Sequence, residues 1–104
     1  MAKNMNSLMK QAQQMQQKMA TLQKELDSRE LDVSSGGGMV KIKISGKQEI
    51  LELKLDKECV DPSDIETLQD LLVTAVNQSI KESQDMVQKA MSKITGGVNI
   101  PGLF

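Results

Sequence analysis

Met5 to Leu26 reads MNSLMKQAQQMQQKMATLQKEL, and its apolar residues are Met5, Leu8, Ala12, Met15, Met19, Leu22 and Leu26. The steps between them alternate three and four, the a/d rhythm of a coiled-coil seam. So narrow a stripe pairs with one helix and does not bury in a globular core. With Met5 at position a, Lys3, Lys10 and Lys24 fall at f and Lys18 at the neighbouring g, and no acid precedes Glu25. The stretch predicts a long helix with an apolar seam on one side and an unopposed basic stripe on the other. At ~1.5 Å per residue it spans roughly 35–40 Å, so part of it must project beyond a small sheet.

Beyond it the period changes to two. Leu31 and Val33 alternate with Asp32 and Ser34, Val40, Ile42 and Ile44 with Lys41, Lys43 and Ser45, and Leu51, Leu53 and Leu55 with Glu52 and Lys54. Gly36-Gly37-Gly38 breaks the first pair, and Ser45-Gly46-Lys47-Gln48 reads as a hairpin turn. This is a three-stranded antiparallel meander, apolar on one face and charged on the other, with Lys41 and Lys43 placed to pair with Glu52 and Glu49. Such a sheet needs a helix over it. The glycine run is not a phosphate loop, because a strand follows where a P-loop opens a helix.

A second helix is expected from Asp61 as N-cap and Pro62 at N1, running to about Ile94. Helix capping also accounts for the acids around Asp61 without a metal ion. The helix's first half is broadly apolar, suited to the sheet and to a subunit contact. Its second half thins to Ile80, Ser83, Val87, Ala90 and Ile94, a seam matching that of the first helix. The two helices are therefore expected to lie together as an arm, to which Lys89 and Lys93 add positive charge. The fold class is α+β, in the order α-β-β-β-α. It is one domain, 1–104: arm 1–28, sheet 29–57, second helix 61–95 and a flexible tail 96–104.

Composition narrows the function. Only 1% of the 104 residues are aromatic, so the core is thin and a homodimer is expected. There is no histidine and one cysteine, Cys59, which excludes His-based catalysis and an internal disulfide. Cys59 reads as a small buried residue at a strand end. No nucleophile–base pair or ligand cluster stands out, so no catalytic residue, metal or cofactor is expected, and no small-molecule substrate. The opening residues lack a signal-peptide core and no apolar window approaches ~18 residues, so a soluble cytoplasmic protein without a membrane partner is expected. The net charge of −1 hides segregation: residues 1–24 hold four lysines and no acids, while 56–70 hold six acids and one lysine.

Gly36-Gly37-Gly38-Met39-Val40-Lys41-Ile42, Ser45-Gly46-Lys47, Cys59-Val60-Asp61-Pro62 with Ile65, Glu66 and Leu68, Ala75-Val76-Asn77, and Gly96-Gly97-Val98-Asn99-Ile100-Pro101-Gly102 together resemble the YbaB/EbfC family of bacterial nucleoid-associated proteins. The likeness covers essentially the whole chain and rests on the order and spacing of short motifs. Ser79 departs from it, standing where a small apolar residue such as alanine is expected. The resemblance implies a homodimer joined through its sheets, with paired arms projecting like tweezers. It further implies binding to double-stranded DNA in the nucleoid, a change in DNA conformation, an influence on gene expression, and no enzymatic activity.

The family's DNA contacts transfer only as a region, the arms. The charge pattern itself nominates Lys3, Lys10, Lys18, Lys24, Lys89 and Lys93. A dimer engaging most of the first-helix lysines would show a salt slope of roughly −4 to −7. Little sequence selectivity is expected, since Arg29 is the only arginine and guanine readout leans on arginine. The rival reading is a prefoldin-like holdase or protein-interaction module, whose arm would use the Met-rich seam to grip unfolded chains. Membrane-surface binding is disfavoured because the seam is narrow.

Overall fold

The computed structural model describes the backbone of residues 2–95 and the side chains of 5–93. The element order is α1 (Ala2–Ser28), β1 (Glu30–Ser35), β2 (Val40–Ser45), β3 (Ile50–Leu55), a 3₁₀ turn (Lys57–Cys59) and α2 (Ile65–Thr95). The α-β-β-β-α order holds. The expected tail, 96–104, lies outside the described residues.

The strands form one antiparallel sheet in the order β1-β2-β3. Gly36, Gly37 and Gly38 all adopt positive φ in the β1–β2 connection, a left-handed run that only glycine enters at no steric cost. The permissive-turn reading of the glycines therefore stands. In the β2–β3 turn, Ser45 N–H donates to the Glu49 carbonyl at 2.9 Å and Gln48, at φ 64, donates to the Ser45 carbonyl at 3.0 Å.

The β2–β3 register differs from expectation. Lys43 lies opposite Glu52 and Ile44 opposite Ile50, so a bulge leaves Leu51 as the extra residue. Lys43 pairs with Glu52 at 3.9 Å, Lys54 also reaches Glu52 at 3.4 Å, and Glu49 is taken by Lys47 at 3.1 Å. Lys41 faces Lys54 rather than an acid.

α2 lies over β1 and β2. Val33, Val40, Ile42, Ile44 and Ala75 form the buried core, with Leu31, Leu71, Leu72, Val76 and Ile80 packed around them. β3 is different: all six of its residues are exposed. Leu53 and Leu55 stand opposite Ile42 and Val40 on the same face of the sheet, yet are 40% and 38% exposed. Thr67, Asp70, Leu71 and Thr74 of α2 lie beside Ser35 and Gly36 at the end of β1. At ~100° per residue, the flank carrying Ile65, Leu72 and Val76 is then turned toward β3. β3 and this flank form one apolar surface that no described residue covers.

The second helix begins at Ile65, not at Asp61–Pro62. Asp61 instead closes a turn: its carboxylate accepts from the Ser63 N–H at 2.9 Å and the Ser63 hydroxyl at 2.7 Å, and Asp64 N–H donates to its carbonyl at 2.9 Å. These bonds, the hydroxyl first, hold the Asp61 carboxyl below its ordinary pKa. Asp64 is the cap, accepting from the Thr67 N–H at 3.3 Å and the Thr67 hydroxyl at 2.7 Å. Cys59 is half-buried in the 3₁₀ turn rather than buried at a strand end, with its thiol donating to the Asp56 carbonyl at 3.0 Å.

Candidate nucleic-acid interface

The arm is rooted at one turn. Gly46 packs so closely on the end of α1 that a Cβ there would run into the Leu26 carbonyl, and Gly46 N–H donates to the Arg29 carbonyl at 3.0 Å. Next to it, the Ser83 hydroxyl of α2 donates to the Ser45 carbonyl at 2.7 Å. Ser79 is fully buried and donates to the Val76 carbonyl at 2.8 Å, so the hydroxyl at this departure from the family pattern is satisfied within its own helix.

From this root α1 and α2 extend together in opposite chain directions and in contact. The predicted seam is visible in the burial. Leu26 is buried, Met19 and Leu22 are half-buried, and on α2 Ser83 and Met91 are buried while Val87 and Ala90 are half-buried. Ile94 has no described side chain. From Ser83 to Thr95 α2 advances about 18 Å, whereas from Leu26 back to Met5 α1 extends about 32 Å. The longer helix therefore outruns the shorter, and the end of its seam is bare: Met5 and Leu8 are 67% and 63% exposed.

The nominated lysines occupy this arm. Lys10, Lys18 and Lys24 are exposed on α1, Lys10 and Lys24 at f, away from the seam, and Lys18 at g, on its flank. Lys3 falls within α1, but its side chain lies outside the described residues. Lys89 and Lys93 are exposed on α2, about 9 and 15 Å from Ser83, level with the part of α1 around Lys18. None of the five described side chains forms an ion pair with a described residue, in contrast to Lys43, Lys47 and Lys54 on the sheet.

The molecule extends 74 Å along its longest axis and only 21 and 16 Å across it. The acids of 56–70 lie at the far end: Asp56 N–H is bonded to the Met39 carbonyl beside the glycine turn, across the sheet from the arm's root. The lysines of the arm and the six acids of 56–70 thus lie toward opposite ends of a rod.

Sequence reasoning did not single out two further cations. Lys81 is exposed near the arm's root, within the same helix as Lys89 and Lys93. Lys41, facing Lys54, lines a hollow of about 240 Å³ on the open face of the sheet, with Asp32, Ser34, Lys43 and Glu52. The β2–β3 register, which alternation does not encode, sets Glu52 opposite Lys43 and leaves Lys41 facing Lys54.

Residues 1–98 match the YbaB/EbfC DNA-binding family. The chain is 57% identical to a nucleoid-associated protein of Desulforamulus reducens over 104 residues, all of this chain and 99% of that one. It is 48% identical to a nucleoid-associated protein of Alkaliphilus metalliredigens over 103 residues, 99% of this chain and 90% of the other. Among solved structures, an uncharacterized protein from Helicobacter pylori shares the fold with a TM-score of 0.71 at 24% identity, over 86% of this chain and 94% of that one.

Proposed function

Because the chain belongs to the YbaB/EbfC DNA-binding family, we propose that it binds double-stranded DNA as a homodimer through the lysines of its helical arms, with little sequence selectivity. The observation that carries this reading is the exposed set Lys10, Lys18 and Lys24 along α1, without an ion-pair partner among the described residues, with the six acids of 56–70 toward the opposite end of the rod. Phosphates are the partner such a row suits, since each cation engaged releases counterions from the duplex. Lys3, Lys89 and Lys93 extend the same surface.

The dimer is supported by the apolar surface of β3. An edge strand with exposed Leu53 and Leu55 beside Ile65, Leu72 and Val76 invites a second copy, and two thin cores then share one interior. Two arms acting on one duplex would constrain its path, from which the altered DNA conformation and any effect on gene expression follow. Its place in the cell is then the nucleoid.

The test is fluorescence anisotropy on a generic labelled duplex, from ~50 to ~200 mM salt, where multi-phosphate binders weaken strongly. The variant combining Lys3→Glu, Lys10→Glu, Lys18→Glu and Lys24→Glu runs beside it, with dimer size confirmed. A steep salt slope abolished in the variant supports the reading; equal binding by both proteins ends it. The holdase reading draws on one observation, the exposed Met5, Leu8 and Met9 at the arm's end. It predicts suppression of client aggregation with little dependence on salt.

A further inference from the structure

Of the four lysines on the sheet and its turns, three have an acid beside them. Lys43 and Lys54 share Glu52 at 3.9 and 3.4 Å, and Lys47 is held by Glu49 at 3.1 Å. Lys41 forms no ion pair with a described residue, and its neighbour across the strands is Lys54. Like charges directly opposite one another destabilise a strand pair, and an uncharged residue at 41 would remove the conflict. We infer that the open face of the sheet binds a phosphoryl group here, held by Lys41, Lys54 and the hydroxyl of Ser34. The site lies on the sheet and not on the arm, so it goes beyond the DNA reading and is tested first without DNA.

Register puts the three residues in one row. Ser34 stands opposite Lys41 and Lys41 opposite Lys54, one from each strand, all exposed. They alternate with the buried Val33, Val40 and Ile42 and so share the face turned away from α2. Neighbouring strands lie about 4.8 Å apart, so two ammonium groups and a hydroxyl stand within reach of a single anion. The Ser34 hydroxyl forms no hydrogen bond with a described residue. The row borders the hollow of about 240 Å³, which gives such an anion a place to sit.

The acids at this hollow belong to the next row on the same face, where Asp32 and Glu52 flank Lys43 from either side. Charge is therefore sorted by row, two cations in one and two acids about a lysine in the other. Lys54 leans on Glu52, which leaves Lys41 as the principal donor. A phosphoryl group brings negative charge and several acceptor oxygens to donors that lack an acceptor. A metal cation would be repelled by the ammonium groups. The phosphoryl group has two sources, a backbone phosphate of the duplex or a free phosphorylated small molecule.

Inorganic phosphate, titrated against sodium chloride of equal ionic strength, is the probe, followed by amide NMR shifts. Saturable shifts are expected at Ser34, Lys41 and Lys54, larger than those at Lys10, Lys18, Lys24 and Lys47. Lys41→Gln should abolish them and, in phosphate-free buffer, raise the thermal midpoint by about 1–5 °C as the repulsion is relieved. A lysine with a merely structural role would lower it. Duplex titration then separates the sources. A salt slope flattened in Lys41→Gln by about 0.9 per protomer assigns the anion to the DNA backbone, and an unchanged slope assigns it to a free phosphoryl compound. Shifts no larger in the row than at the arm lysines, shifts that persist in Lys41→Gln, or a midpoint that falls in that variant overturn the inference. Because the phosphate titration contains no DNA, failure of the arm to bind a duplex would leave its outcome untouched.

Discussion

The Ser83 hydroxyl donates to the Ser45 carbonyl at 2.7 Å across 38 residues of sequence, and both side chains are buried. This bond ties the middle of α2 to the end of β2, at the point where the helix leaves the sheet and becomes part of the arm. A buried hydroxyl at such a site is worth more than its net hydrogen-bond energy, because its loss leaves a carbonyl lone pair without that donor. Ser83→Ala should destabilise the protein by about 1–2 kcal/mol in urea unfolding. An unchanged midpoint would show that the contact contributes nothing.

Gly46→Ala tests the other contact at the same root. The added methyl meets the Leu26 carbonyl, which belongs to helix backbone and cannot rotate away. We expect a loss of about 1–3 kcal/mol from the forced shift. Replacing Gly37, whose Cβ would meet nothing within 4 Å, separates crowding from conformation, since its cost comes only from φ 67. Equal thermal midpoints for Gly46→Ala and the parent would refute the crowding argument.

Leu53→Glu with Leu55→Glu should convert the proposed dimer to a monomer in sedimentation or light scattering. Both positions are exposed in the protomer, so secondary structure should persist. DNA affinity should fall as well, because one arm engages fewer phosphates. A variant that remains dimeric would rule out β3 as the interface.

Single neutralising substitutions should read the DNA contacts one at a time. Lys10→Gln, Lys18→Gln or Lys24→Gln should each flatten the logarithmic salt slope by about 0.9 per lysine lost from a phosphate, twice that in a symmetric dimer. Lys47→Gln, whose ammonium is held by Glu49 at 3.1 Å, serves as the control with no change. Equal slopes throughout would mean that the arm is not the DNA surface.

Asp64→Ala should cost about 0.5–2 kcal/mol, as expected for loss of a helix N-cap. Asp61→Asn is predicted to act through pH. The folded carboxyl sits below its unfolded value of 3.8, so its contribution is present above that pH and disappears as pH falls through the lowered value. The substitution should therefore matter at neutral pH and converge with the parent in acid. Identical pH–stability curves would remove Asp61 from the account.

Much of this fold is written in periodicity. The three-four spacing from Met5 to Leu26 specifies α1, and the two-residue spacing from Leu31 onward specifies the sheet. The side of the helix that bears the lysines follows from the same count. The misplaced features are those that periodicity leaves open. Asp61 and Asp64 both precede a hydroxyl residue that can serve a carboxylate, and the contest between turn and cap is decided by local geometry. Alternation identifies the apolar side of β3 but not that α2 lies over the other two strands. The bulge at Leu51 sets Leu53 and Leu55 opposite Ile42 and Val40 and brings Glu52 opposite Lys43, a one-residue shift that the sequence pattern does not announce. The lysines' exposure was legible as well; their engagement with phosphate belongs to binding experiments.

The approach of Gly46 to Leu26 has a mechanical consequence. With Ser83 on the adjoining residue, it makes the Ser45-Gly46 turn a fulcrum, and the helices beyond it a lever about 32 Å long. A tilt of about 5° there carries the lever's free end sideways by about 3 Å, close to the rise of one base pair. The direction in which the arm points is thus set where one missing methyl group lets the turn meet the end of α1.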